Sequence, residues 1–231
     1  MTEANHVAII LDGNRRFAKR LMAKPWKGHE FGKEKVKKLL EWCTELGVTE
    51  VTLYAFSVDN FNRPKQEFDY IMKLFREAFE ESKNDKQIHE KKIKINFLGR
   101  IDMFPEAVAK SMHELMDATK NYSDYVINFC MAYGGREEIV DAAREMVSDL
   151  DKGKIKADEI NEETFKNYLY TTSEPDLIIR TGGEQRLSGF LLYLSSYAEL
   201  FFINRMWPEF EKEDLVNCLE EFKERERRFG R

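Results

Sequence analysis

A chain of 231 residues, 42% apolar and 34% charged, can bury one sizeable core, which excludes a disordered or collagen-like polymer. Its 37 basic and 42 acidic residues leave a net charge of −5, which argues against a general nucleic-acid binder, since a phosphate backbone selects for excess positive charge. Cys43, Cys130 and Cys218 stand far apart with no Cys-x-x-Cys pair, so neither a zinc ribbon nor a disulfide framework is expected. Reduced thiols, no signal-peptide pattern and apolar runs of only about 5–7 residues lead to the expectation of a soluble cytoplasmic protein.

In chain order, short apolar runs at 7–11, 51–56, 93–98, 126–131, 177–179 and 200–203 end in polar or glycine-containing turns. Most are unbroken by charge, the pattern of strands buried on both faces. The run 93–98 is interrupted by Lys94 and Asn96 and belongs nearer a sheet edge. Helical periodicity fills the gaps. Val36, Leu39, Leu40 and Cys43 share a face ahead of Gly47, a C-terminal stop. Phe68, Ile71, Met72, Phe75 and Phe79 form a second stripe after Pro64, and Pro105 opens a third helix carrying Val108, Met112, Leu115 and Met116. Amphipathic segments follow at 136–150 and 211–227, with a polar surface excursion at 148–163. Strands alternating with helices predict one α/β domain over 1–231, its mostly parallel six-stranded central sheet flanked by helices.

Ligands of open parallel sheets bind beyond the carboxyl ends of the strands, so the residues after each apolar run are informative. They are Asp12-Gly13-Asn14-Arg15-Arg16 after the first and Ser57-Val58-Asp59-Asn60-Phe61-Asn62-Arg63-Pro64 after the second. Gly99-Arg100, Tyr133-Gly134-Gly135-Arg136 and Arg180-Thr181-Gly182-Gly183-Glu184-Gln185-Arg186-Leu187-Ser188 follow the third, fourth and fifth. Arginines and glycines thus gather on one rim of an acidic chain. Glycines admit close approach of main-chain N–H groups to oxygen, a helix starting after Asn14 would add its positive end, and each guanidinium fork can hold two oxygens. So many forks exceed what one carboxylate needs and suit a diphosphate. Asp12 would repel that diphosphate unless a divalent cation such as Mg²⁺ lay between them, with Glu199, opening the sixth strand, as a second acidic candidate.

Each feature also has a plainer structural meaning. Asp12-Gly13-Asn14 is a competent tight turn, Arg15, Arg16 and Arg20 a solvated helix face, His29 a helix-start residue, Glu199 a strand-end charge, and the Phe68-to-Phe79 stripe ordinary core. Their shared location carries the functional reading. Nucleotide-binding loops, a Gly-x-Ser-x-Gly elbow and an Asp-Asp-x-x-Asp pair are all missing from the sequence.

Over nearly its whole length the chain resembles the cis-prenyltransferases, the undecaprenyl diphosphate synthase-like enzymes. The matching blocks are His6-Val7-Ala8-Ile9-Ile10-Leu11-Asp12-Gly13-Asn14-Arg15-Arg16-Phe17-Ala18, Gly28-His29, the segments 52–57 and 60–64, the segment 128–136, Asp176-Leu177-Ile178-Ile179-Arg180-Thr181-Gly182-Gly183-Glu184, Tyr197-Ala198-Glu199-Leu200-Phe201-Phe202 and Arg225-Glu226-Arg227-Arg228-Phe229-Gly230. Position 15 is Arg where many bacterial members have Gly, Phe17 and Phe61 stand where Trp is frequent, Gln185 replaces a frequent His, and Pro25 stands where bacterial members carry a phosphate-binding Arg.

The resemblance implies Mg²⁺-dependent, sequential condensation of isopentenyl diphosphate with an allylic diphosphate to a long-chain Z-polyprenyl diphosphate, the precursor of a glycosyl carrier lipid. It assigns the allylic diphosphate to Gly13, Asn14, Arg15, Arg16, Phe17 and His29, with the tail in an apolar tunnel walled by the second and third helices. It assigns isopentenyl diphosphate to Arg180, Arg186 and Ser188, Mg²⁺ to Asp12 and Glu199, and the reaction centre to Ser57, Asn60, Phe61 and Arg63, with Val58, Asp59 and Leu187 as further substrate-binding residues and Asp12 and Asn60 catalytic. Arg228 and Gly230 would complete the site of a partner subunit, which implies a homodimer. Peripheral membrane contact through the lipid product is a further expectation. A non-catalytic lipid-binding subunit of the same fold and an unrelated phosphate-binding α/β enzyme are the competing readings; the retained Asp12, Arg16, Arg180, Arg186 and Glu199 favour the enzyme.

Overall fold

In the computed structural model, which describes residues 4–225, the central strand β1 (His6–Ile10) is buried along its whole length. Beside it run β2 (Glu50–Ser57), β3 (Ile93–Leu98), β4 (Tyr125–Tyr133), β5 (Leu177–Arg180) and β6 (Glu199–Phe202), in the order β3-β4-β2-β1-β5-β6 with every pairing parallel. The six expected strands are thus present within a residue or two of their sequence limits. The polar-interrupted β3 is an edge strand, as the pattern of Lys94 and Asn96 anticipates.

Alternation along β1 shows why both faces need cover. Val7 and Ile9 join one cluster with Leu39, Cys43, Leu215 and Phe222, while Ala8 and Ile10 join another with Tyr133, Ala142 and Phe190. The covering helices are α1 (Asn14–Arg20), α2 (Gly28–Leu46), α3 (Lys65–Ser82), α4 (Lys86–Glu90), α5 (Glu106–Thr119), α6 (Gly135–Asp151), α7 (Glu162–Lys166) and α8 (Lys212–Glu224). Gly47 ends α2 in the left-handed conformation at φ 80°, and Pro64 and Pro105 immediately precede α3 and α5. The short α4 and α7 have too few apolar repeats to be legible as helices in the sequence. Arg228 and Gly230 lie outside the described residues.

From β1 the chain moves across the sheet to β2, then later returns to β1's other side as β5. This reversal leaves a crevice at the carboxyl ends of β1 and β5, where Asp12 and Arg180 sit.

Candidate active site

Asp12 is fixed through its backbone before its side chain makes any contact. Its carbonyl accepts from Thr181 Oγ1 at 2.8 Å and from the Trp207 N–H at 2.9 Å. The next residue, Gly13, turns at φ 107°, and a Cβ there would come 2.7 Å from Met206 Cβ, so the turn needs glycine on two counts. The Asp12 carboxylate then lies between two guanidinium groups: Oδ2 accepts from Arg180 Nη2 at 2.8 Å and Oδ1 from Arg16 Nη2 at 3.1 Å. Burial alone would raise the Asp12 pKa, but the bond to and charge of Arg180, then those of Arg16, outweigh it and hold the carboxyl below its ordinary value.

Arg180 is the pivot between two regions. Its Nη1 donates to the carbonyl of Arg186 and, at 2.9 Å, to Ser188 Oγ, while Nη2 holds Asp12. It is buried, and its Nε has no partner among the described residues; the same is true of Asn14 Oδ1. Arg16 Nη1 also donates to the carbonyl of Gly182 at 2.7 Å, at a position where an added Cβ would come 2.5 Å from Arg16 Nη2.

A second cationic group lies across the mouth. Arg63 Nη1 donates to Glu67 Oε1 at 2.5 Å and to His29 Nε2 at 3.1 Å, and Arg15 Nε lies 3.6 Å from the same Glu67 oxygen. His29 Nε2 is therefore an acceptor and the imidazole neutral. Burial, then Arg63 and Arg15, push its pKa down to about 3. Glu67, on the first turn of α3 and 2% exposed, was not singled out from the sequence, although its place four residues after Arg63 is the helical spacing of an ion pair.

Below these groups lies a cavity of about 1200 Å³. Asp12, Gly13, Asn14, Arg15, Arg16, His29, Ser57, Asn60, Arg63 and Arg180 line its mouth. Its body is apolar, with Val36 and Leu40 of α2 on one side, Ile71, Phe75 and Phe79 of α3 on the other, and Ile127 and Phe129 of β4 beneath. Of the expected wall residues, Phe68, Met72, Val108 and Met112 instead pack in the core between α3, α5 and the sheet. The opposite wall comes from α2, which was not among the helices expected to form the tunnel.

Several expected site residues are not in this lining. Phe17 packs edge-on to Phe31 at 5.4 Å between centroids, and Phe61 turns into the ring cluster of Phe56, Phe68 and Phe104. Val58 and Asp59 belong to a 3-10 turn, Val58–Asn62, whose start is capped by Asn60 Oδ1 accepting from the Ser57 N–H at 3.2 Å. Arg186, which donates to Glu184 Oε2 at 2.6 Å, Leu187, which packs in the core, and Ser188 lie on the other side of Arg180. Tyr54, which sequence reasoning did not single out, joins the two regions. It stacks on Phe190 at 5.0 Å, and its hydroxyl lies 3.3 Å from the Tyr133 carbonyl and 3.4 Å from that of Ser188.

Within one chain the structure does not bring Glu199 to Asp12. Glu199 starts β6, level with Leu177 and so with Val7, whereas Asp12 follows the far end of β1, about 16 Å further along the strand direction. Its carboxylate accepts from Arg225 Nη1 at 2.7 Å. Among the described residues no group of three His, Cys, Asp or Glu could hold a metal, and no helix is long and apolar enough to cross a membrane.

An all-parallel α/β sheet with guanidinium groups at its switch point, above a long apolar cavity, defines a protein class suited to amphiphiles with an anionic head and a hydrocarbon tail. The family model described as "Putative undecaprenyl diphosphate synthase" matches residues 10–230. A Thermococcus kodakarensis protein named tritrans,polycis-undecaprenyl-diphosphate synthase (geranylgeranyl-diphosphate specific) is 51% identical over 228 residues, covering 98% of this chain and 86% of its own. The Methanopyrus kandleri protein of the same name is 47% identical over 228 residues, covering 98% and 84%. Among solved structures, lavandulyl diphosphate synthase from Lavandula x intermedia, in complex with dimethylallyl diphosphate, superposes with a TM-score of 0.93 at 32% identity, over 99% of this chain and 98% of that one. A "probable undecaprenyl diphosphate synthase" from Campylobacter jejuni gives 0.82 at 29% identity, over 100% of both chains. The chain belongs to the undecaprenyl diphosphate synthase family of cis-prenyltransferases and is a prenyl-transferring enzyme.

Proposed function

We propose that the enzyme extends an allylic diphosphate, with geranylgeranyl diphosphate as starter, by repeated addition of isopentenyl diphosphate to give a long-chain Z-polyprenyl diphosphate. One observation carries this reading: a cationic, hydrogen-bonding rim surrounds the mouth of an apolar cavity of about 1200 Å³. The starter is suggested by the name that the 41–51% identical archaeal relatives share.

In this reading the allylic diphosphate lies against Gly13, Asn14, Arg15, Arg16 and His29 with its tail between α2 and α3. Isopentenyl diphosphate lies against Arg186 and Ser188, with Arg180 between the two. Departure of the allylic diphosphate builds charge on its oxygens, and fixed guanidinium groups stabilise that charge without reorganising. Neutral His29 adds no second positive charge beside Arg63, and Glu67 fixes the direction of its guanidinium. Asn60 uses its Oδ1 to cap Ser57, which leaves its NH₂ to orient a diphosphate; an uncharged amide is a poor base, so the departing diphosphate is the better proton acceptor.

The donor set fits Mg²⁺ in one respect. A single carboxylate, Asp12, kept ionised by its neighbours, suits a cation that takes most of its ligands from phosphate oxygens and water. When bound, Mg²⁺ would neutralise charge developing on the diphosphate. Glu199 would have to contribute from elsewhere than the Asp12 rim of its own chain. We assign Arg228 and Gly230 to the partner's isopentenyl site in a homodimer; the exposed Leu200 and Phe202 on edge strand β6 support such an interface. Three buried free cysteines support a reducing, cytoplasmic location.

The direct test is incubation with labelled isopentenyl diphosphate, Mg²⁺ and a panel of allylic diphosphates that includes geranylgeranyl diphosphate. Extension of that starter in preference to shorter ones is expected. No extension with any member overturns the assignment and leaves a lipid-binding subunit.

A further inference from the structure

The cavity has a second end. It follows the sheet from Ser57, at the close of β2, to Ile93, at the start of β3, a span of about 26 Å at the ordinary rise of a strand. At this far end the buried Phe79, Ile88 and Ile93 form an apolar throat, and the exposed Glu41, Lys86 and Gln87 also line it. Residues that both line the cavity and are exposed place this end close to the surface.

The charge around this opening runs against that of the whole molecule. Residues 83–94 hold five lysines and two acids in a chain whose net charge is −5. Lys83 pairs with Glu114 on α5, but Lys86, Lys91, Lys92 and Lys94 form no ion pair among the described residues. Lys92, at φ 48°, makes the turn between α4 and β3 and so gathers these lysines at the amino end of the sheet. Four acids stand near them, Glu41 and Asp85 in the cavity lining and Glu90 and Asp124 at the margin, but none forms an ion pair with these four lysines among the described residues; Asp85 instead accepts from the Gln87 N–H at 2.8 Å.

We infer that this lysine-bearing rim docks on an anionic lipid bilayer, so that a tail outgrowing the cavity enters hydrocarbon rather than water. The rim supplies what an acidic protein otherwise lacks for such a surface, a local cluster of lysines engaged in no ion pair; each lysine held near an anionic leaflet is worth about fivefold in partitioning. The role given to the tail rests on the proposed synthase activity, but binding of the rim to lipid does not.

The test is co-sedimentation of the substrate-free protein with vesicles. Wild type is expected to bind mixed phosphatidylcholine–phosphatidylglycerol vesicles and not phosphatidylcholine alone. The variant Lys86→Gln/Lys91→Gln/Lys92→Gln/Lys94→Gln should lose more than tenfold in partitioning, while Lys152→Gln/Lys156→Gln, on the polar loop after α6, should lose little. An environment-sensitive fluorophore adds an independent readout, because the three native cysteines are buried. Attached at Gln87→Cys it should shift to the blue on anionic vesicles, and at Lys156→Cys it should not. Wild type failing to bind, binding that ignores lipid charge, or equal binding by the four-lysine variant would overturn the inference. Chain extension assayed in detergent reports separately on the synthase reading.

Discussion

Asp12 carries a charge that the surrounding residues both need and restrain. Without it, Arg180 would be a buried cation facing Arg16 with no compensating carboxylate. Asp12→Ala is expected to lose most turnover while circular dichroism shows the fold kept, at a lowered urea midpoint because Arg180 is left without its carboxylate. Glu67 plays the matching part for Arg63 and Arg15. Breaking a buried pair leaves an uncompensated charge, so Glu67→Gln should cost about 3 kcal/mol in urea unfolding. His29 gives the site a pH signature. Its folded pKa of about 3 lies below its ordinary 6.5, so the unfolded chain takes up the proton first as pH falls. The stabilisation it gives is full above 6.5 and is lost on acidification towards 3, by up to about 1.4 kcal/mol per pH unit. His6 is depressed by burial in the same sense, so His29→Asn should reduce rather than abolish the acid loss, read as urea midpoints at successive pH values. Asp12, Arg16 and Arg180 were legible as a cluster because each lies in a segment that follows an apolar run of the sequence. Glu67 and Tyr54 were not, because one looks like a solvent-facing helix residue and the other like a strand core residue until the partner across the fold is known.

At the level of elements, α2 and α3 decide the size of the cavity. They are bridged by Lys33 Nζ donating to Glu81 Oε2 at 2.8 Å, an exposed pair worth at most about 1 kcal/mol, so the gap between them depends on apolar walls more than on that bridge. Ala78 of α3 faces the cavity, and Ala78→Phe adds bulk where there is space. Product chains from this variant should be shorter than wild type by mass spectrometry after dephosphorylation, with little change in urea midpoint. The stripe from Phe68 to Phe79 shows the limit of periodicity. Spacing placed all five side chains on one broad face, but only Ile71, Phe75 and Phe79 reach the cavity, while Phe68 and Met72 pack inward. A hydrophobic face has the same pattern whether it meets another side chain or an empty space.

Across the whole molecule, the parallel sheet separates two chemistries. Its carboxyl edge collects arginines and its amino edge, beside β3, collects lysines, with an apolar passage joining them. The exposed edge strand β6 supports the proposed homodimer, and Phe202→Glu is expected to convert dimer to monomer in sedimentation velocity; a monomeric wild type at assay concentration would remove the shared-site reading. What the sequence determined by itself is the alternation of buried strands with amphipathic helices and the residues that follow each strand, because both are local and periodic. The net charge of −5, which argues against a nucleic-acid polymer, is an average over segregated patches, and the sequence order alone exposes the arginines gathered after the strands. Tertiary structure decided the rest. It set the two guanidinium groups on one Asp12, put Glu199 at the opposite end of the sheet, and opened a cavity between helices whose residues look like ordinary core. These depend on which strands become neighbours and on the level at which they register, and that information is carried by long-range packing rather than by any local spacing.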